Sequence, residues 1–284
     1  MFKLGIDDFC YHRFYGMMIP GQSDPGKRWT LDDFLARAVE LKVDSVSLET
    51  CFLPGLDRPF LESLRKKLDE RGLDGMLSWG HPRGLEVGKN PGAIEDLKKG
   101  IEAANFLGAK VIRIVAGSFR DRDEARQPQI ERLSEVLKDL VETTAGYDVV
   151  LGMENHQDFM ADEQLEIIER VGSDYLRVTL DTGNNVRLFE DPVEVARKLA
   201  PYTVATHIKD VAATGKGSPK NWRSFWPSVP LGRGIIDLPE IIRILRENDY
   251  RGSLNLEIDL LDEKWTDEDK AVAESIEYLR KIAS

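Results

Sequence analysis

Cysteine is nearly absent from this 284-residue chain, with only Cys10 and Cys51 present. Two isolated thiols make neither a disulfide framework nor a Cys-x-x-Cys metal site, and a reducing, cytoplasmic setting is the expectation that follows. Long apolar runs are missing too. Nowhere do about 18 apolar residues stand together, so no membrane span is expected. The apolar, strand-like start at residues 2–6 lacks the charged beginning and apolar stretch of a signal peptide. No clustered basic run occurs, and the net charge is −11. Binding to a phosphate backbone relies on grouped Lys and Arg, so nucleic acid is excluded as a partner and a small ligand or a protein is favoured. No Gly-x-Gly-x-x-Gly follows the first strand-like run, which removes the signature of a dinucleotide-binding fold.

What the chain does have is alternation. A composition of 42% hydrophobic and 31% charged residues can bury a substantial core. Short runs rich in Val, Ile and Leu stand at 2–7, 43–49, 75–79, 110–117, 148–155, 176–181, 203–209 and 252–258, as strands covered on both sides require. Helical patterns follow at 30–41, 57–71, 90–107, 125–145, 161–171, 191–200, 237–248 and 266–283. Thr30 and Asp33 form a capping-box pattern, and Gly72, Gly108 and Gly172 stand where C-cap glycines would. Pro192 and Pro239 fall near helix starts, where a missing N–H costs little. Strict alternation of strands and helices implies a parallel sheet, and eight units close into a barrel. The expectation is a single (β/α)8 barrel domain over residues 1–284, a normal length for that architecture.

Two connections are long. Residues 8–29 carry Phe9, Tyr11, Phe14, Tyr15 and Trp29, and residues 211–236 carry Trp222, Phe225 and Trp226. Both follow strands, so both belong to the face where barrel enzymes build their sites. Their aromatics either cover the mouth or face a substrate. A terminal phosphate on that substrate would have to use Arg13, Lys27, Arg28, Lys216 or Lys220 from the same loops.

The polar residues gather at that mouth as well. Glu49, Glu154, Asp181, His207 and Glu257 stand at or near the C-terminal ends of the second, fifth, sixth, seventh and eighth runs. If Glu154 points inward, strand alternation turns Gly152 and His156 inward with it, while Met153 faces the helices. Ala205 and Lys209 accompany His207, and Ser253 and Asn255 accompany Glu257. Glu154, Asp181, His207 and Glu257 cannot share a low-dielectric mouth without a counter-charge. One divalent cation would supply it. Three oxygen donors and one nitrogen favour Mn²⁺ or Mg²⁺, with Co²⁺ or Zn²⁺ as alternatives. The four histidines, His12, His81, His156 and His207, fall at or just beyond the ends of strands one, three, five and seven. Arg113, inward within the fourth strand, is a buried cation that needs anions, either site carboxylates or a substrate oxygen.

The segments LGMENH (151–156), LDTGN (180–184), HIKD (207–210), PLGRGIID (230–237) and LNLEID (254–259) resemble the motifs of the xylose isomerase-like TIM-barrel superfamily. That group contains sugar isomerases and epimerases, inosose and dehydroshikimate dehydratases, and endonuclease IV. Carried over residue by residue, the resemblance implies metal ligation by Glu154, Asp181, His207 and Glu257. It also implies that Glu154 and Glu257 move a proton on opposite faces of a sugar or keto-sugar, through an enediolate. His12, Glu49, His81, Arg113, Asn184 and Trp226 are then the candidate substrate-binding residues, and His156 and Lys209 further candidates for proton transfer. Relatives often pair through the barrel mouth, so a homo-oligomer is a possible state.

The chain also departs from the ketose 3-epimerase pattern. Asn184 and Ala213 stand where those enzymes usually carry a substrate-holding histidine and arginine. His156, two residues past the first glutamate, is similar to the dehydratase branch. The primary expectation is therefore a metal-dependent isomerase or epimerase acting on a carbohydrate. The alternatives are a lyase acting on a cyclic polyol or 3-oxo-sugar, and a non-catalytic barrel that binds a sugar or joins a complex. Endonuclease IV activity would need more histidines and a basic face.

Overall fold

Apolar runs buried on both faces cannot leave a sheet edge in water, and here they close on themselves. The computed structural model describes residues 2–214, 217 and 222–284. Strands β1 (Lys3–Asp7), β2 (Ser45–Glu49), β3 (Asp74–Ser78), β4 (Val111–Ile114), β5 (Val150–Glu154), β6 (Leu176–Asp181), β7 (Thr203–Ile208) and β8 (Ser253–Leu256) form one closed parallel barrel. They pair in chain order, and β8 returns to β1 with Lys3 opposite Ser253 and Ile6 opposite Leu256. Helices α1 (Leu31–Glu40), α2 (Arg58–Arg71), α3 (Pro91–Leu107), α4 (Arg126–Ala145), α5 (Ala161–Val171), α6 (Pro192–Leu199), α7 (Leu238–Glu247) and α8 (Glu268–Ile282) follow the strands. The expected (β/α)8 barrel is the fold.

Several strand boundaries differ from the expectation by one to three residues, two of them for a clear local reason. The apolar run 110–117 leaves the sheet after Ile114, because the carbonyls of Val115 and Ala116 accept the N–H groups of Leu85 and Val87 from the preceding connection. The run 148–155 starts later because Asp148 has a φ of 53°, which no extended strand accommodates. The expected caps form: Thr30 and Asp33 make a reciprocal capping box, and Gly72, Gly108 and Gly172 terminate α2, α3 and α5 in the left-handed region.

Alternation divides the strands into an apolar outer face and a polar lumen. Ile6, Leu48, Leu77, Ile112, Met153, Leu180, Ile208 and Leu256 are buried beneath the helices. Inside, Ser45 donates to Asn255 Oδ1 at 3.1 Å, and Ser47 donates to Asp7 Oδ2 at 2.5 Å. At two lumen positions glycine makes room for a neighbouring side chain, which would have to shift for any larger residue. A Cβ on Gly5 would lie 1.8 Å from Asn255 Oδ1, and one on Gly152 would lie 2.4 Å from Thr179 Oγ1.

The two long connections are built differently. In residues 8–29, Tyr11 packs on Trp29 with ring centroids 4.3 Å apart, Phe14 lies 4.9 Å from Trp29, and Lys27 sits over both Phe14 and Trp29. These aromatics bind to one another and to the core. In residues 211–236, the strands Asp210–Val211 and Ser228–Val229 pair antiparallel. Asp210 organises the return by accepting the N–H groups of Gly232, Gly234 and Ile236 at 3.0, 2.8 and 3.2 Å. The side chain of Trp222, together with Lys216 and Lys220, lies outside the described residues. Of the other loop cations, Arg13 is paired with Glu268 and Arg28 with Asp24.

Candidate active site

Strand register carries Glu154, Asp181, His207 and Glu257 to neighbouring positions, with Asp181 directly opposite His207 across β6 and β7. All four are buried, Glu257 being the most exposed at 5%. Each offers a ligand atom, and these atoms lie within 4.8 Å of one another, a group that could hold a metal ion. His207 Nδ1 lies 2.5 Å from Glu257 Oε2 and 3.4 Å from Glu154 Oε1. Its Nε2 faces the opposite way, 3.5 Å from Asp7 Oδ2.

The donor set fits a divalent cation on two counts. First, Asp181 Oδ2, both nitrogens of His207 and Glu257 Oε2 are buried and, although each lies within ion-pair range of a charged neighbour, none makes an aligned hydrogen bond among the described residues. Buried polar atoms left so are costly unless something else satisfies them. Second, charge is unbalanced. Among the described residues, the buried acids Asp7, Glu49, Glu154, Asp181, Glu257 and Asp259 surround only Arg113, Arg187 and Lys209 as buried permanent cations. Titration reflects the surplus. Burial pushes Asp181 up to about 7 against the pull of Lys209. Burial opposes protonation of His207, yet Glu257, Asp7 and Glu154 raise it well above the usual histidine range. Burial also opposes ionisation of Glu154 and Glu257, but Arg113 and His207 hold the first well below the carboxylate range, and Lys209 and His207 hold the second at about 2. A site that draws protons onto an imidazole and an aspartate attracts positive charge, and a metal ion can replace those protons.

Around the cluster, Arg113 lies between Glu49, which accepts its Nη2, and Glu154 Oε2, 3.3 Å from its Nε. Lys209 Nζ lies 2.9 Å from Asp181 Oδ2 and 3.0 Å from Glu257 Oε1. Asn184 touches two of the three acids of the cluster. Its backbone N–H donates to Asp181 Oδ1 at 2.8 Å and its amide to Glu154 Oε1 at 2.9 Å.

The remaining candidates are less central. Both ring nitrogens of His12 have protein neighbours, the Phe9 carbonyl at 2.7 Å and Gln22 Oε1 at 2.9 Å. His81 is half-buried and stacked on Trp79, with its Nδ1 lacking a hydrogen bond among the described residues. His156 is half-buried and close enough to Glu154 to lower its pKa. Trp226 is half-buried, and its carbonyl accepts from Arg187 Nη2 at 3.1 Å.

Three residues of the site escaped sequence reading. Asp7 ends β1, inward by alternation with Gly5, and that alternation was the available signal. Asp259 lies two residues past Glu257 and carried the same signal. Arg187 arrives from a 3-10 turn, Asn184–Leu188, whose periodicity resembles neither strand nor helix.

The family model described as "Xylose isomerase-like TIM barrel" matches residues 35–282. A putative L-ribulose-5-phosphate 3-epimerase of Escherichia coli is 29% identical over 197 residues, covering 67% of this chain and 64% of that protein. A 3-dehydroshikimate dehydratase of Bacillus anthracis is 26% identical over 161 residues, 53% of this chain and 57% of its own length. The chain thus matches less than two thirds of the length of either relative. Among solved structures, that of the IolI protein with a bound zinc atom superposes with a TM-score of 0.73 at 17% identity, covering 99% of this chain and 98% of the other. By the extent of the family match and by its closed eight-stranded barrel, the chain belongs to the xylose isomerase-like TIM-barrel family.

Proposed function

We propose that this protein is a divalent-metal-dependent isomerase or epimerase of a sugar or keto-sugar, moving a proton through an enediolate. The observation that carries the reading is the pair of buried glutamates, Glu154 and Glu257, that approach His207 Nδ1 at 3.4 and 2.5 Å within a four-ligand cluster. The likeness to an epimerase supports it. Glu154, Asp181, His207 and Glu257 would hold Mn²⁺ or Mg²⁺. Such an ion supplies a fixed positive charge that binds substrate oxygens, acidifies the neighbouring C–H and stabilises the enediolate.

The protein's own groups do the rest. Glu154 and Glu257, both held as carboxylates, are able to accept the proton from the carbon beside the carbonyl. Arg113 neutralises Glu154 from behind, and Lys209 performs the same service for Glu257 while bringing an N–H donor to the mouth. Burial of the cluster excludes water that would otherwise quench the carbanion.

Incubating the protein in ²H₂O with a panel of ketoses and keto-sugars tests this. Solvent deuterium should appear at the carbon next to the carbonyl, stop on chelation and return with Mn²⁺. Turnover without any exchange would sink the enediolate mechanism. His156 beside Glu154, together with the likeness to a dehydratase, supports a second reading as a lyase on a cyclic polyol or 3-oxo-sugar. An ultraviolet-absorbing enone product identifies that case.

A further inference from the structure

We propose that Arg187, anchored by Asp259, is a positioning residue for Glu154 and acts on it through Asn184. The proposal rests on Glu154 being a metal ligand, as read above.

The side chain of Asn184 can sit in only one orientation. Its Oδ1 accepts from Gln157 Nε2 and from Arg187 Nη1, both at 3.2 Å, so its Nδ2 is directed at Glu154 Oε1, 2.9 Å away. Rotating the amide by half a turn would set an NH₂ against the guanidinium and a carbonyl against the carboxylate, two repulsive contacts in a buried setting. Arg187 therefore decides which way the amide points. Arg187 is itself fixed by a bidentate pair with Asp259, at 2.7 and 3.1 Å, and by the Trp226 carbonyl at 3.1 Å. Ser228 donates to Asp259 Oδ1 at 2.5 Å and holds the anchor in turn.

The geometry suits arginine specifically. One planar group serves Asn184, Asp259 and Trp226 at once, which a lysine ammonium on a flexible stem cannot do with the same orientation. Because the Asn184 N–H also donates to Asp181 Oδ1, the relay ends on two of the three acids of the cluster. Among the described residues Arg187 makes no hydrogen bond to Glu154, Asp181, His207 or Glu257 itself, so its influence is indirect.

The test is Mn²⁺ binding to the chelator-stripped protein by calorimetry, alongside circular dichroism to establish folding. Asn184→Ala and Arg187→Lys should each weaken Mn²⁺ by about tenfold to a hundredfold, the range for partners that orient metal ligands. The double variant should be no weaker than Asn184→Ala alone, because both changes cut one relay. Should Arg187→Lys fail to fold, Arg187→Gln, which keeps an amide donor but no fork for Asp259, replaces it. Losses that multiply in the double variant would overturn the relay, since Arg187 would then act by another route. Unaltered Mn²⁺ affinity in Asn184→Ala and Arg187→Lys, with binding abolished in Asp181→Ala, would overturn it while leaving the metal site standing. Failure of the unaltered protein to bind Mn²⁺ would remove the metal reading itself.

Discussion

Arg113 stands between two glutamates that would otherwise repel each other across the mouth, and it is buried with both of them. Removing one member of a buried charge network leaves the others uncompensated, at a cost of about 3–5 kcal/mol. Arg113→Met should therefore lower unfolding free energy by about that amount in urea titration, well beyond the effect of losing an exposed arginine. A change below about 1 kcal/mol would mean that Glu49 and Glu154 take up protons cheaply instead. At this scale the sequence was partly legible. Inward placement of Arg113 on a strand demanded anionic partners, and Glu49 and Glu154 meet that demand. Asn184 was less legible. Its position after Asp181 pointed to the mouth, but the 3-10 turn that follows β6 aims its amide at Glu154 and its carbonyl at Arg187. Side-chain direction outside regular structure has no period to read.

Among the elements, β5 depends on one small residue close to its functional end. Gly152 sits two places before Glu154, and a methyl there would meet Thr179 Oγ1 at 2.4 Å and Val111 Cγ1 at 3.2 Å. Overpacking a rigid lumen costs about 1–3 kcal/mol. Gly152→Ala should lower the melting temperature and, on the proposed metal reading, weaken Mn²⁺ as well, because the end of β5 is displaced with Glu154. A protein as stable and as tight for Mn²⁺ as the original would show that the lumen yields without moving Glu154. Strand and helix positions were the most legible feature, since two periodicities, near 2 and near 3.6, separate them. Their ends were less so. The early exit of β4 depends on partners from another segment, Leu85 and Val87, that no local pattern announces.

For the whole molecule, a bound ion and folding are linked. An ion that binds the native cluster and not the unfolded chain stabilises it by about 2.7 kcal/mol at a free concentration one hundred times its Kd. In a chain of this size that corresponds to a rise in Tm of about 4–5 °C. Scanning calorimetry with Mn²⁺ should record this rise for the unaltered protein and none for Asp181→Ala. Equal shifts in the two would indicate binding elsewhere.

The division between what the residues announced and what folding added follows from distance along the chain. Alternating apolar runs, caps and strand-end acids are local patterns, so the sequence by itself determined the barrel, the face that bears the site and the four acids and imidazole that converge there. The pairing of Arg113 with Glu49, the placement of Lys209 between Asp181 and Glu257, and the Asp259–Arg187–Asn184 chain join residues from different strands and turns. Only closure of the barrel brings them within hydrogen-bonding distance, and only there does the loss of water make each contact count.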